Sequence, residues 1–418
     1  MSFKTISILC LILFCFAPDD AFSYSVLTHE AIIDSLWTDS IQPLLKQRFP
    51  RATDKDMKAA HAYVYGGSII QDMGYYPFGS RFFTDLTHYV RSGDFVGAML
   101  RDSVTLYEYA FALGAMAHYV ADNQGHPLGT NRAVPLLYPK LQRKYGNEVT
   151  YADNPSSHLK TEFGFDVLEI SKGRYAPDAY RDFIGFEVSK PLLQRSFQHT
   201  YGLDLNDVFA TLDLAIGTYR KTVSGLIPKM TQVAWEMNKD DIEKSQPGMT
   251  RTRFLYNISR AEYEKQWGTQ YRTPGFGSRV LAIVVRVLPK VGPLRALSFR
   301  MPTPQAEKLF MDSFNLTIER DRSLLAAEGA RRAQLADLNL DLGKPTAAGM
   351  YKMADDTYAK LVKELAKHKF AGIPPELREN ILTFYKDQNV SIWTRRHRKQ
   401  WTSLQQQLET LKGGTNTK

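Results

Sequence analysis

The chain has 418 residues, of which 44% are hydrophobic and 23% charged. That is enough apolar side chain for a large buried core, and it excludes disordered, collagen-like and polytopic membrane classes. The formal charge is +9 and uneven: residues 251–418 carry 29 Lys+Arg against 16 Asp+Glu, whereas the first 250 carry 24 against 28. A negatively charged partner such as a membrane or nucleic acid would meet the basic surplus in the C-terminal part.

Residues 1–23 read as a secretory signal peptide, with Lys4 as the charged region, Ile6 to Ala17 as the apolar core and Ala21-Phe22-Ser23 as a small-x-small cleavage site. The run is too short to span a bilayer. Cleavage after Ser23 predicts a secreted or periplasmic chain starting at Tyr24. Both cysteines, Cys10 and Cys15, are removed with the signal. Disulfides and thiolate metal sites are then excluded, and any metal must use nitrogen and oxygen ligands.

Strand signals are sparse and helical periodicity is common. Ile32, Ile33, Leu36 and Trp37 share a face after His29, and longer helical runs are predicted at Val104 to Ala121, Val208 to Val233, Phe310 to Leu338 and Ala354 to Lys367. Ser157 is a plausible N-cap for a helix through His158 and Glu162 to Gly173. The fold class is all-α. A boundary is expected near Lys239 to Gly248, dividing residues 24–240 from a basic helical C-terminal region, 241–418, of unknown role. No acidic residue occurs from Lys265 to Ala306. Within that stretch Arg279 to Leu288 reads either as an interfacial membrane segment or as a core helix with solvated arginines, so residues 279–300 are a candidate peripheral membrane contact. Arg395 to Lys399, between Trp393 and Trp401, is a second basic-aromatic cluster, which as a rule is a solvated helix face.

The histidines carry the chemistry. Six of the nine fall within residues 29–158, interleaved with carboxylates. His118, Asp122 and His126 are spaced i, i+4, i+8 and line one face of a helix that Gly125 and Pro127 bring to an end. His158 and Glu162 repeat the spacing on another helix. Facing each other, the two helices would bring three imidazoles and two carboxylates into one cleft, a donor set suited to Zn²⁺ where thiolates are absent. His29, Asp72 and His88 lie upstream. His61 has no carboxylate at ligand spacing and reads as a packed residue; His199, His368 and His397 have no case as ligands.

In this order the residues resemble the bacterial zinc-dependent phospholipases C, which share a helical multi-zinc fold with single-strand nucleases. The resemblance covers about residues 24–240 and implies a zinc-dependent phospholipase C-like catalytic domain there. It implies that the backbone of Tyr24, as the processed N-terminus, binds zinc together with His29, Asp72, His88, His118, Asp122, His126, His158 and Glu162. Asp122 would bridge two zincs, and His126, His158 and Glu162 would hold a third, giving two to three ions. Tyr24 stands where the family has Trp, which matters little for main-chain ligands. A second departure concerns the family's histidine six residues after the bridging Asp: position 128 is Leu, and His126 lies at +4 instead.

The implied function is phosphodiester hydrolysis by a metal-activated water, most simply on glycerophospholipids, with Asp72 orienting or deprotonating the nucleophile. Two alternatives stay open. One is a zinc-dependent single-strand nuclease or nucleotidase, disfavoured because relatives with that activity commonly carry disulfides. The other is a non-catalytic zinc protein. Headgroup preference is not legible in the sequence.

Overall fold

A computed structural model describes residues 26–172, 175, 185–223, 230, 234, 298–386 and 391–413, with the side chains of 391–400 excepted. The expected signal peptide (1–23), Tyr24, the expected boundary near 240 and the 279–288 segment lie outside the described residues, as do the side chains of the Arg395–Lys399 cluster. The architecture is all-α, as the periodicity predicts. In chain order the helices are α1 (Val26–Leu36), α2 (Gln42–Arg48), α3 (Asp54–Gly67), α4 (Arg81–Tyr89), α5 (Ser92–Asp102), α6 (Leu106–Gly125), α7 (Asn131–Leu137), α8 (Pro139–Tyr145), α9 (Pro155–Ser171), α10 (Lys190–Tyr201), α11 (Leu205–Val208) and α12 (Leu212–Lys221). They continue with α13 (Pro304–Gly329), α14 (Lys352–Lys367), α15 (Pro375–Phe384) and α16 (Ser391–Gly413). A short 3₁₀ segment, Ile70–Tyr75, precedes α4, and a π turn, His126–Thr130, follows α6. Strands β1 (Leu338–Asn339) and β2 (Lys344–Pro345) form one small antiparallel hairpin, Leu338 opposite Pro345 and Asn339 opposite Lys344.

Helix α6 is the axis of the molecule. Thr105 and Glu108 form a capping box at its start, satisfying orphan amides there. From Glu108 to Asp122 every residue is buried, because Ala110, Ala112, Gly114, Ala115, Ala117 and Ala121 leave room for neighbours all round. Helix α3 packs on it with almost no side chain between. A Cβ on Gly114 would lie 2.1 Å from the Val64 carbonyl oxygen, and one on Gly67 would lie 2.0 Å from that of Phe111. This close crossing brings the carbonyl of Ser68, just past the end of α3, to the His118 ring on α6. On the α3 side it is Gly67 that permits this backbone approach.

Several helix limits differ from the sequence reading. Helix α9 is capped by Asn154, whose Oδ1 accepts from the Ser157 amide at 2.9 Å, with Pro155 at the first helical position; Pro there is pre-organised for helix entry, so the cap falls three residues before Ser157. The helix ends at Ser171. The run expected from Val208 is broken: Asp204 caps the single turn α11, and α12 begins at Leu212 after extended Thr211. The run expected to Leu338 ends at Gly329, because Arg331 enters the left-handed region at φ 56° and the chain then turns back to the body.

That return binds the C-terminal region to the rest. The buried face of α13 carries Ala306, Phe310, Ser313, Thr317, Asp321 and Leu325, and it packs on α6, α7 and the π turn. Helix α14 packs on α4. Residues from both sides of position 240 share one apolar core. Asp321 is an exception within that face: neither carboxylate oxygen has a hydrogen-bond partner among the described residues. Burial pushes its carboxyl from an ordinary value near 3.8 up to about 7. The folded state therefore holds this proton over a range in which the unfolded chain has lost it. Stability falls as pH rises from the unfolded value, and the penalty is complete above the folded one. Asp321→Asn should flatten the pH dependence, gaining up to about 4 kcal/mol on wild type at about pH 8 relative to about pH 4 in urea unfolding. Parallel stability curves for the two proteins would refute the assignment.

Candidate metal centre

Asp122 occupies the last full turn of α6 and is completely buried. Four imidazoles surround it. His88 Nε2 and His118 Nε2 lie 3.1 and 3.2 Å from Oδ2, His126 Nε2 lies 3.7 Å from Oδ2, and His29 Nε2 lies 3.6 Å from Oδ1. His118 comes from one turn earlier on α6, His126 from the first position of the π turn, His88 from α4 and His29 from α1. Asp72, on the 3₁₀ segment, adds Oδ1 at 3.4 Å from His88 Nε2. On α9, His158 Nδ1 and Glu162 Oε1 are 2.9 Å apart, and Glu162 Oε1 is 3.9 Å from His126 Nδ1.

Three groups of donor atoms result, each with its atoms within 4.8 Å of one another: His29, His118 and Asp122; Asp72, His88 and His118; His126, His158 and Glu162. The structure brings together the eight expected residues that it describes, His29, Asp72, His88, His118, Asp122, His126, His158 and Glu162. Leu128, at the position where the family has histidine, is 36% exposed and points away, whereas His126 is buried. Helix geometry accounts for the burial of His126, which follows Asp122 by one α-helical turn, its amide donating to the Asp122 carbonyl.

Neighbouring carbonyls fix which ring nitrogen faces inward. A carbonyl oxygen only accepts, so the nitrogen beside it carries the proton. His88 Nδ1 donates to the Thr84 carbonyl at 2.8 Å, and His118 Nδ1 donates to that of Ser68 at 3.0 Å. Their Nε2 lone pairs then face each other across 3.4 Å. His158 Nε2 donates to Asn131 Oδ1 at 2.7 Å, turning Nδ1 inward. Thr84 also locks the segment bearing Asp72, since its hydroxyl donates to the Gln71 carbonyl and accepts from the Gly74 amide.

The interior is thus lined with acceptors. Glu162 Oε2 is buried without a hydrogen-bond partner among the described residues. Such a set needs protons or cations. Burial disfavours charge on His88, but the bonds and charges of Asp122 and Asp72 outweigh it and raise its pKa well above the ordinary value. Burial works against ionised Asp122 too, yet His118 and His126 overcome it and hold Asp122 well below the usual range. His29 and His158 are driven down by burial and by neighbouring imidazoles. Burial raises Asp72, and burial with the Asp122 charge raises Glu162. Buried imidazole and carboxylate donors converging in this way fit zinc.

Residues 28–210 match the sequence model of zinc-dependent phospholipase C. This segment belongs to that family. No curated protein and no solved structure matches the chain. The family and the donor clusters together support a zinc-dependent, phospholipase C-like enzyme. No helix among the described residues is long and apolar enough to cross a membrane.

His61 is packed as expected: it stacks on Trp37 with ring centroids 3.8 Å apart and lies 3.5 Å from Asp34. His199 is exposed and bonded to Asp102, and His368 lies near Asp207. The sequence reading missed Asn131, Asp166 and Asp341. Asp166 had a signal, as it extends the four-residue spacing of His158 and Glu162. Its carboxylate accepts from the Thr28 hydroxyl at 2.8 Å and the Leu27 amide at 3.3 Å, tying the start of α1 to the ligand face of α9.

Asp122 touches every described imidazole of the centre except that of His158, so Asp122→Ala should lose at least two zinc equivalents and essentially all hydrolytic activity. Zinc content by elemental analysis together with turnover tests this, and retention of both would refute a bridging role.

Proposed function

We propose that the chain is a secreted or periplasmic zinc-dependent phospholipase C that hydrolyses glycerophospholipids to diacylglycerol and a phosphorylated headgroup. The observation that carries this reading is the inward convergence of lone pairs from His88, His118, Asp72 and Asp122, in a segment that matches the family. Two to three zinc ions would be held by the backbone of Tyr24 and by His29, Asp72, His88, His118, Asp122, His126, His158 and Glu162. Bound zinc supplies a coordinated water of near-neutral pKa and neutralises charge on the phosphoryl oxygens.

The protein residues do the rest. Thr84, Ser68 and Asn131 fix the tautomers of His88, His118 and His158, so these three rings need not turn during turnover. Asp72, held by the Thr84-locked 3₁₀ segment, would orient the attacking water and take its proton. Water adds across the bond between phosphorus and the diacylglycerol oxygen. Its oxygen stays on phosphorus, and a proton passes to the leaving oxygen.

The Tyr24 part of the proposal draws on Asp166. That residue, on the helix face that carries Glu162, anchors Leu27 and Thr28, three and four residues beyond Tyr24. Processing would convert the Tyr24 amide into an amine with a lone pair. A chain with one or two extra residues before Tyr24 should lose affinity at one zinc site only. Unchanged stoichiometry and affinity would remove Tyr24 from the ligand set.

For the reaction itself, mature zinc-loaded protein should release phosphocholine from phosphatidylcholine vesicles, and a chelator should abolish the release. Zinc-bound protein that releases none would exclude this substrate. Cleavage of single-stranded nucleic acid instead would identify a nuclease on the same scaffold.

A further inference from the structure

The turn between β1 and β2 belongs to the C-terminal region, far from the matched segment, yet it reaches the metal centre. Asp341 lies in this turn and is buried, 3% exposed. Its Oδ2 accepts from the Tyr89 hydroxyl at 2.9 Å and from the Tyr351 hydroxyl. Its Oδ1 lies 4.0 Å from His126 Nε2, the nitrogen that is also 3.7 Å from Asp122 Oδ2. We propose that Asp341 is an additional metal ligand at His126 Nε2, on the side of that ring that faces Asp122 rather than the Nδ1 side that faces Glu162. This inference rests on the zinc reading above and extends it to a residue outside the family match.

Three features support a ligand role. The first is the carboxylate's own bonding. Ligating carboxylates are held by outer hydrogen bonds, and here two tyrosine hydroxyls hold Oδ2, which directs Oδ1 into the centre. The second is the way the turn engages ligand-bearing elements through its backbone. The Leu340 amide donates to the His88 carbonyl at 3.1 Å, and the Asp341 carbonyl accepts from Asn131 Nδ2 at 2.8 Å. Asn131 Oδ1 in turn accepts from His158 Nε2. Asp341 thus presents its own carboxylate and, through Asn131, sets the tautomer of His158.

The third feature is fit. Gly343 has φ +63°, and a Cβ there would lie 2.8 Å from the Asn123 carbonyl oxygen and 3.0 Å from Pro127 Cγ. Only a glycine lets the turn press so close to the end of α6 and the residue after His126. The turn is fastened further by the Ser92 hydroxyl, which donates to the Leu338 carbonyl at 2.7 Å, and by the Thr346 hydroxyl, which donates to the Tyr89 carbonyl at 2.9 Å. A cation at His126 Nε2 would meet two carboxylates, Asp341 and the shared Asp122.

The test is zinc binding rather than turnover. Full-length mature wild type, Asp341→Asn and Asp341→Glu are titrated with zinc against a chromophoric chelator, and folding is checked by circular dichroism. Asp341→Asn keeps the side-chain shape but lacks the charge; it should bind one zinc fewer, or bind one zinc at least tenfold more weakly, and leave the other sites unchanged. Asp341→Glu keeps the charge and should perturb the same single site; it supplies the comparison if the Asn variant does not fold. Wild-type stoichiometry and affinities in either folded variant would overturn the ligand role. If wild type itself binds no zinc, the zinc reading fails first, and that result is distinguishable before any variant is compared.

Discussion

A single buried carboxylate organises this protein. Asp122 has its two oxygens within 3.1–3.7 Å of four imidazole nitrogens, on four different stretches of chain. Taking such a charge out of water is costly unless it is paired and hydrogen-bonded. Pairing requires α1, α4, the end of α6 and the π turn to meet at one point. The small-residue surface of α6 makes that meeting possible, because helices carrying larger side chains at Gly67 and Gly114 could not approach closely enough for Ser68 to reach His118.

The support around this carboxylate is built from main-chain carbonyls and short polar side chains. Thr84 links two ligands: its carbonyl fixes the His88 ring, and its hydroxyl locks the segment that bears Asp72. Asn131 links His158 to the C-terminal turn, and Asp166 links α9 to the start of α1. Each of these residues satisfies its own hydrogen-bonding groups while orienting a ligand or anchoring a ligand-bearing element. A buried polar network that is satisfied in this way specifies one arrangement.

The C-terminal region shares in the same structure. Helix α13 covers α6 and the π turn, α14 covers α4, and the β1–β2 turn places Asp341 beside His126. Its basic surplus is a property of the chain's charge distribution, and the buried faces of these helices are what join it to the site. Asp321 shows that this packing carries a cost, since a carboxyl is buried there without a hydrogen-bond partner among the described residues.

The sequence by itself determined the all-α class, through a 3.6-residue apolar period, and most of the donor set, through i, i+4 spacing that puts His118, Asp122 and His126, or His158 and Glu162, on one helix face. Both are local properties, fixed by helix geometry whatever the rest of the chain does. Exact caps were less legible, because Asn154 and Ser157 are both competent and the choice depends on where Pro155 sits. Only the tertiary structure decided which nitrogen of His88, His118 and His158 faces inward, since the carbonyls of Thr84 and Ser68 and the amide of Asn131 select the tautomer. It also decided that Asp341 stands beside His126. The two residues are 215 positions apart, no periodicity links them, and their proximity comes from a turn whose glycine alone fits against the end of α6.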